Sequence, residues 1–255
     1  MFSPAHETKH HPRLRAPFNS HLLTLTQLND GVSNGTALWL GAQCLSVYLA
    51  TLRPLPCQIV ELGGGIGFTA LAMASLGCHV LTTDIPHVIH SVLKNNIDSN
   101  IAQFPGSVNV RELDWTVPPD QWTWHDPTAI ASASPRESSN SSTTLLTPPF
   151  DLVCSADTVY TPSLVEPLLR SLHALCTQSL AASPVARAPP VYLCIERRDP
   201  ALVDRVLADA HDTWGFTVER IPDRKLAKAM LKAGIKWPKA DWEGIEIWKL
   251  SLSTG

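Results

Sequence analysis

A short apolar segment, Ile59-Val60-Glu61-Leu62, runs directly into Gly63-Gly64-Gly65-Ile66-Gly67, and Phe68 then opens an apolar helical stretch over 68–76. A strand, a glycine turn and a helix in that order leave few architectures open. Glycines permit positive φ and let backbone approach a ligand with no Cβ between them. The helix behind them offers free N–H groups and the positive end of its dipole. Gly77 closes the stretch as helix-terminating glycines do. This unit belongs to open α/β sheets, whose ligands lie at the carboxyl ends of the strands.

The rest of the chain keeps the same rhythm. Short apolar segments at 78–83, 108–113, 150–155, 191–195, 216–220 and 245–250 are expected as strands, and the spacing predicts helices over 87–99, 163–176, 201–211 and 223–234. The expected fold is a single Rossmann-like α/β domain with a seven-stranded, mostly parallel sheet, one antiparallel edge strand, and helices on both faces. Residues 1–20 read as a flexible tail and 21–255 as the domain, with 21–27 alternating like an edge strand. A Ser/Pro-rich insertion at 126–149, which includes Ser138-Ser139-Asn140-Ser141-Ser142, and an Ala/Pro-rich stretch at 181–190 read as surface loops.

Composition narrows the partners. The chain has 255 residues, 44% of them hydrophobic, and a net charge of −3, so a full core is available and no global charge favours nucleic acid. No apolar stretch reaches the ~18 residues of a membrane span. The six cysteines stand singly, which suits free thiols better than a disulfide frame or a zinc site. His6, His10 and His11 lack accompanying carboxylates or thiols, so no metal is expected. The basic start is not a secretory signal, and the expectation is a monomer in the cytoplasm and/or nucleus.

The glycine turn leans toward one cofactor. A dinucleotide site wants Gly-x-Gly-x-x-Gly, whereas here the third glycine, Gly67, comes one position early and Phe68 follows it. Glu61 before the glycines suits a ligand with positive charges. Those features favour S-adenosyl-L-methionine, with its ammonium and sulfonium. Asp84, ending the second strand, is placed to accept from ribose hydroxyls. Asp114 is placed to accept from an adenine amine, and Trp115 to stack on the ring. After the fourth strand come Asp157 and Tyr160. Methyl transfer needs a neutral, aligned nucleophile, and a carboxylate with a phenol can orient an amine lone pair. The other reading of Asp157 is a cap on the helix that follows it. No Ser-His-Asp arrangement is present.

Together these motifs resemble the seven-β-strand protein-lysine methyltransferases, in particular the methyltransferase-like twenty-one and twenty-two group and its fungal relatives. The matching segments are Gly35-Thr36-Ala37-Leu38-Trp39, the stretch from Val60 through Gly67, Thr83-Asp84, Leu113-Asp114-Trp115 and Asp157-Thr158-Val159-Tyr160. The resemblance implies a class I methyltransferase domain. It places Trp39, Gly63, Gly64, Gly65, Asp84, Trp115 and Ala156 around the cofactor, and Asp157 and Tyr160 toward a substrate lysine of a protein partner. Cys194-Ile195-Glu196-Arg197-Arg198 and Ile245-Glu246-Ile247-Trp248-Lys249-Leu250 look more like the twenty-two subgroup. Leu40-Gly41 departs from the Pro and Ala more common there, and the Ser-rich insertion is unusual. The expected function is S-adenosylmethionine-dependent N-methylation of protein lysines. Small-molecule or protein N-terminal N-methylation, or a non-catalytic cofactor-binding partner, are the alternatives.

Overall fold

The computed structural model describes residues 3–28, 34–134 and 144–252. A short helix α1 (Ala5–Thr8) precedes strand β1 (Arg13–Phe18), which pairs antiparallel with β2 (His21–Thr26). Leu14, Ala16 and Phe18 alternate inward with Leu23 and Leu25, and Ala5 is buried with its N–H donated to Gln43 Oε1 at 2.8 Å. Residues 13–18 are therefore a packed strand and not part of the flexible tail expected over 1–20. Their apolar positions recur every second residue, which is what a half-buried strand requires.

The hairpin stands apart from the main sheet. Its free edge is held by side chains: Asn96 Oδ1 accepts from Thr26 N–H at 2.7 Å, and Asn100 Oδ1 from Thr24 N–H at 2.9 Å. Their amide groups donate back to the Thr26 and Thr24 carbonyls. Four residues apart on one helix, the two asparagines meet alternate residues of the strand, so they substitute for a neighbouring strand.

The main domain then alternates: α2 (Leu40–Leu49), β3 (Gln58–Leu62), α3 (Phe68–Ala74), β4 (His79–Asp84), α4 (Pro86–Val88), a π-helical turn (Ile89–Leu93), α5 (Lys94–Asn100) and β5 (Ser107–Leu113). It continues through β6 (Ala129–Ala131), β7 (Leu152–Ala156), α6 (Val165–Ala182), β8 (Val191–Glu196), α7 (Pro200–Asp212), β9 (Phe216–Arg220), α8 (Asp223–Lys232) and β10 (Ile245–Leu252). Two core layers cover the sheet. One is built around α2, α3, α5, α8 and the hairpin, the other around α6 and α7.

The eight strands lie in the order β6-β5-β4-β3-β7-β8-β10-β9. The class of fold is as expected, with two differences of detail. The antiparallel strand, β10, is not at the edge; it pairs with β8 on one side and β9 on the other. Strand β9 is laid down one place beyond β8, and β10 fills the gap, where Ile245, Ile247 and Leu250 are all buried. The eighth strand, β6, comes from the stretch read as a mobile loop. Ala129, Ile130 and Ala131 are buried against β5 despite their polar surroundings. Arg111, fully buried, donates to the carbonyls of Thr123, Trp124 and Leu146, and so ties the last part of the insertion to the chain that precedes it. Ser138 to Ser142 fall outside the described residues.

Candidate active site

Strands β3, β4, β5 and β7 end together around a cavity of about 310 Å³. Gly63 and Gly65 line it with φ of 69° and 56°. A Cβ on Gly63 would lie 2.6 Å from Thr158 Cγ2 and 3.5 Å from the Trp115 ring. Only glycine fits both the conformation and that space.

The other two glycines serve the scaffold. At φ 85°, Gly67 caps α3, and a Cβ there would press on Leu93 and Ile97. Gly64 lies over Thr82 and Glu61, with its N–H donated to the Thr83 carbonyl at 2.9 Å. Of the glycines expected at the cofactor, Gly63 and Gly65 line the cavity, while Gly64 and Gly67 lie behind it. Glu61 also lies behind it. It is 2% exposed, beneath the turn, and its Oε2 accepts from Thr82 Oγ1 at 2.8 Å. Burial, opposed by hydrogen bonds from Thr82 and the Ala70 N–H, pushes its pKa up to about 7. Glu61 thus lies beneath the turn and is bonded to Thr82.

Asp84 does reach the cavity. One carboxyl oxygen accepts from Gly65 N–H at 2.9 Å and the other from Ile85 N–H at 2.8 Å. Burial raises its pKa to about 6, and those two backbone donors oppose the rise. A carboxylate keeps further acceptor capacity on both oxygens, as a ribose diol requires. Asp114 lines the same wall while its Oδ1 holds the N–H and hydroxyl of Thr116. Beside it, the buried Trp115 Nε1 has no hydrogen-bond partner. Its ring edge, Cζ2 and Cη2, is the part that lies against Gly63 at the cavity.

Trp39, Ala156, Asp157 and Tyr160 complete the expected set on the remaining wall. Asp157 adopts φ 55° and donates its N–H to the Cys194 carbonyl at 2.9 Å. Its Oδ2 accepts from Gly41 N–H at 2.7 Å. It therefore caps a helix, but that helix is α2, remote in sequence, rather than the one following. An unpaired N–H in the first turn of α2 is a natural anchor for a carboxylate. The departure at Gly41 is what allows the approach: a Cβ there would sit 2.4 Å from Oδ2. Burial lifts the Asp157 pKa to about 6, with the Gly41 bond opposing it. Tyr160, half exposed, stands at the mouth, and partial burial followed by the charge of Asp84 raises its pKa.

Several contributors escaped the sequence reading. Thr158 was quoted only as a spacer, yet it packs on Gly63; since the Ser155 hydroxyl donates to the Leu62 carbonyl, the Thr158 hydroxyl must donate to Ser155. Ile85, Val88 and Leu164 supply apolar lining. Asn96 Nδ2 donates to the Ile66 carbonyl, coupling the glycine turn to α5. A single helical asparagine carries no signal that would have announced this.

Among the described residues, the cavity lining contains Asp84, Asp114 and Asp157 and no lysine or arginine. That wall repels a pyrophosphate and suits a cationic nucleoside ligand. With the Gly63 and Gly65 cradle, the Asp84 carboxylate and the Trp115 ring along the wall, the residues present fit S-adenosylmethionine. A larger groove, about 740 Å³, lies beside the ends of α3 and α8, lined by Arg53, Lys232 and Lys236. It has neither the glycine turn nor the acids, so the smaller cavity is the site.

Comparison with known proteins agrees. A family model described as lysine methyltransferase matches residues 17–130. Protein N-lysine methyltransferase METTL21A of Mus musculus is 29% identical over 174 residues, covering 67% of this chain and 68% of that protein. The protein-lysine N-methyltransferase rrg1 of Schizosaccharomyces pombe is 37% identical over 92 residues, 34% of this chain and 30% of that one. The chain spans between 50% and 68% of the length of its methyltransferase-like 21 relatives. The fold matches the solved structure of SMU.776, complexed with SAH, at a TM-score of 0.50 and 10% identity, over 95% of this chain and 56% of that one. The chain is thus similar, over about two thirds of its length, to proteins named as protein-lysine methyltransferases.

Proposed function

We propose that this protein uses S-adenosylmethionine to methylate lysine side chains of a protein substrate. The observation that carries the reading is the joining, in one acidic cavity, of the glycine turn and Asp84 with Asp157 and Tyr160. When bound, S-adenosylmethionine supplies a methyl group on a sulfonium. Asp84 holds the ribose end, and Trp115 flanks the ring. Asp157, anchored by Gly41, and Tyr160 at the mouth accept and orient the lysine amine so that its lone pair points inward. The amine must arrive neutral, and removal from bulk water into the mouth lowers the pKa of a lysine. We further place the protein in the cytoplasm or nucleus as a monomer; six free cysteines support a reducing compartment.

Incubation with tritiated S-adenosylmethionine and a cell extract should label a protein band, and hydrolysis of that band should yield methyl-lysine. Tyr160→Phe should lower transfer by about 100-fold without altering folding, and Asp157→Ala should abolish it. Absence of any labelled protein, or recovery of the label solely in α-amino groups or small molecules, would sink the lysine reading.

A further inference from the structure

The amino-terminal segment brings a lysine of the chain itself to the site. Lys9, just after α1, places its Nζ 3.4 Å from the centroid of the Trp39 ring. Trp39 lines the cavity together with Asp157 and Tyr160, and its own Nε1 is tied to the Asn34 carbonyl at 2.6 Å, which fixes the ring. The same ring also carries Arg198, its guanidinium 4.5 Å from the centroid and paired with Glu196. A cation seated on an aromatic face beside carboxylates is how alkylammonium groups are recognised.

We propose that Lys9 is itself a methyl acceptor, a modification site held on Trp39 at the substrate side of the cavity and methylated within its own chain. This rests on the methyltransferase reading above. The Lys9 stem has four rotatable carbons, so the amine can leave the ring face for the adjoining cavity while the backbone of α1 stays in place. Partial burial, then the neighbouring Arg198 charge, lowers the Lys9 pKa, against the opposing pull of Glu196 and Asp157. A larger share of this amine is therefore neutral than for an exposed lysine. The step balances simply. The ammonium gives its proton to solvent, the Nζ lone pair forms the N–C bond as the S–C bond breaks, and the sulfonium becomes a neutral thioether. The product is a methylammonium that still suits the Trp39 face.

The test uses the full chain with deuteromethyl S-adenosylmethionine and no other protein, read by peptide mass spectrometry. The label should fall on Lys9, at a rate independent of protein concentration. Lys9→Arg keeps a cation on Trp39 but removes the nucleophile; it should bind S-adenosylhomocysteine as the parent does and lose the label. A second readout needs no turnover: in competitive acylation without cofactor, Lys9 should react at lower pH than the other lysines, and Trp39→Ala should erase that difference. Label on other lysines, a rate that climbs with concentration, or ordinary Lys9 reactivity would overturn the proposal. If extract proteins are labelled while Lys9 is not, this inference falls and the function stands. If neither is labelled, both fall.

Discussion

Asp84 and Glu61 look alike in the sequence, each a carboxylate within the last two residues of a buried strand, and the structure gives them opposite work. Asp84 faces the cavity. Asp84→Asn should weaken S-adenosylhomocysteine binding about 100-fold, the loss of charged acceptance from two hydroxyls. Its pKa near 6 sets the pH dependence: below that value the carboxyl is protonated and must release its proton to accept fully, so affinity in calorimetry should fall up to about tenfold per pH unit. Glu61 faces the core and acts on stability. Its pKa rises from 4.5 to about 7, so the folded state holds a proton that the unfolded chain has released. The Glu61 contribution to stability is therefore greatest at acid pH, declines as pH rises from 4.5 to about 7, and levels above it. Glu61→Gln should flatten that decline by up to about 1.4 kcal/mol per pH unit in urea titrations.

At the scale of elements, the strands were the most legible part of the chain, because each is a short apolar segment bounded by turn residues. The expected segment at 216–220 coincides with β9, and the others shift by a residue or two as strand ends do. The hairpin's attachment was not legible. It depends on Asn96 and Asn100, whose role emerges only when α5 is laid along β2. Asn96→Ala removes bonds of 2.7, 2.8 and 2.9 Å to Thr26 and Ile66 and orphans a backbone N–H. We expect a loss of roughly 2–4 kcal/mol in denaturant unfolding. Because Ile66 belongs to the glycine turn, weaker cofactor binding should accompany it.

For the whole molecule, the amino-terminal 18 residues are the sharpest divide between expectation and structure. A flexible tail could be removed at no loss. A strand that buries Leu14, Ala16 and Phe18 could not. Deleting residues 1–18 should lower the thermal midpoint by about 10 °C, since exposing these side chains forfeits several kcal/mol and each moves a domain of this size by ~2–4 °C. An unchanged midpoint would return the segment to a loose tail. The placement of β10 is a property of the same scale: its alternation marks a strand, but its neighbours are chosen by where β9 leaves room.

Local chemistry can be read from order along the chain. Glycine spacing, the carboxylate ending β4, Asp114-Trp115 and the Asp157–Tyr160 pair are neighbours in sequence, and each implies its role through contacts made within a few residues. From these the fold class, the cofactor and most of the cavity follow. Tertiary structure alone decided which glycines and which acids line the cavity, that Asp157 is anchored by Gly41 across the fold, and that Lys9 meets Trp39. Those are contacts between distant segments, set by how helices and strands pack, and a one-dimensional pattern carries periodicity but no such distances.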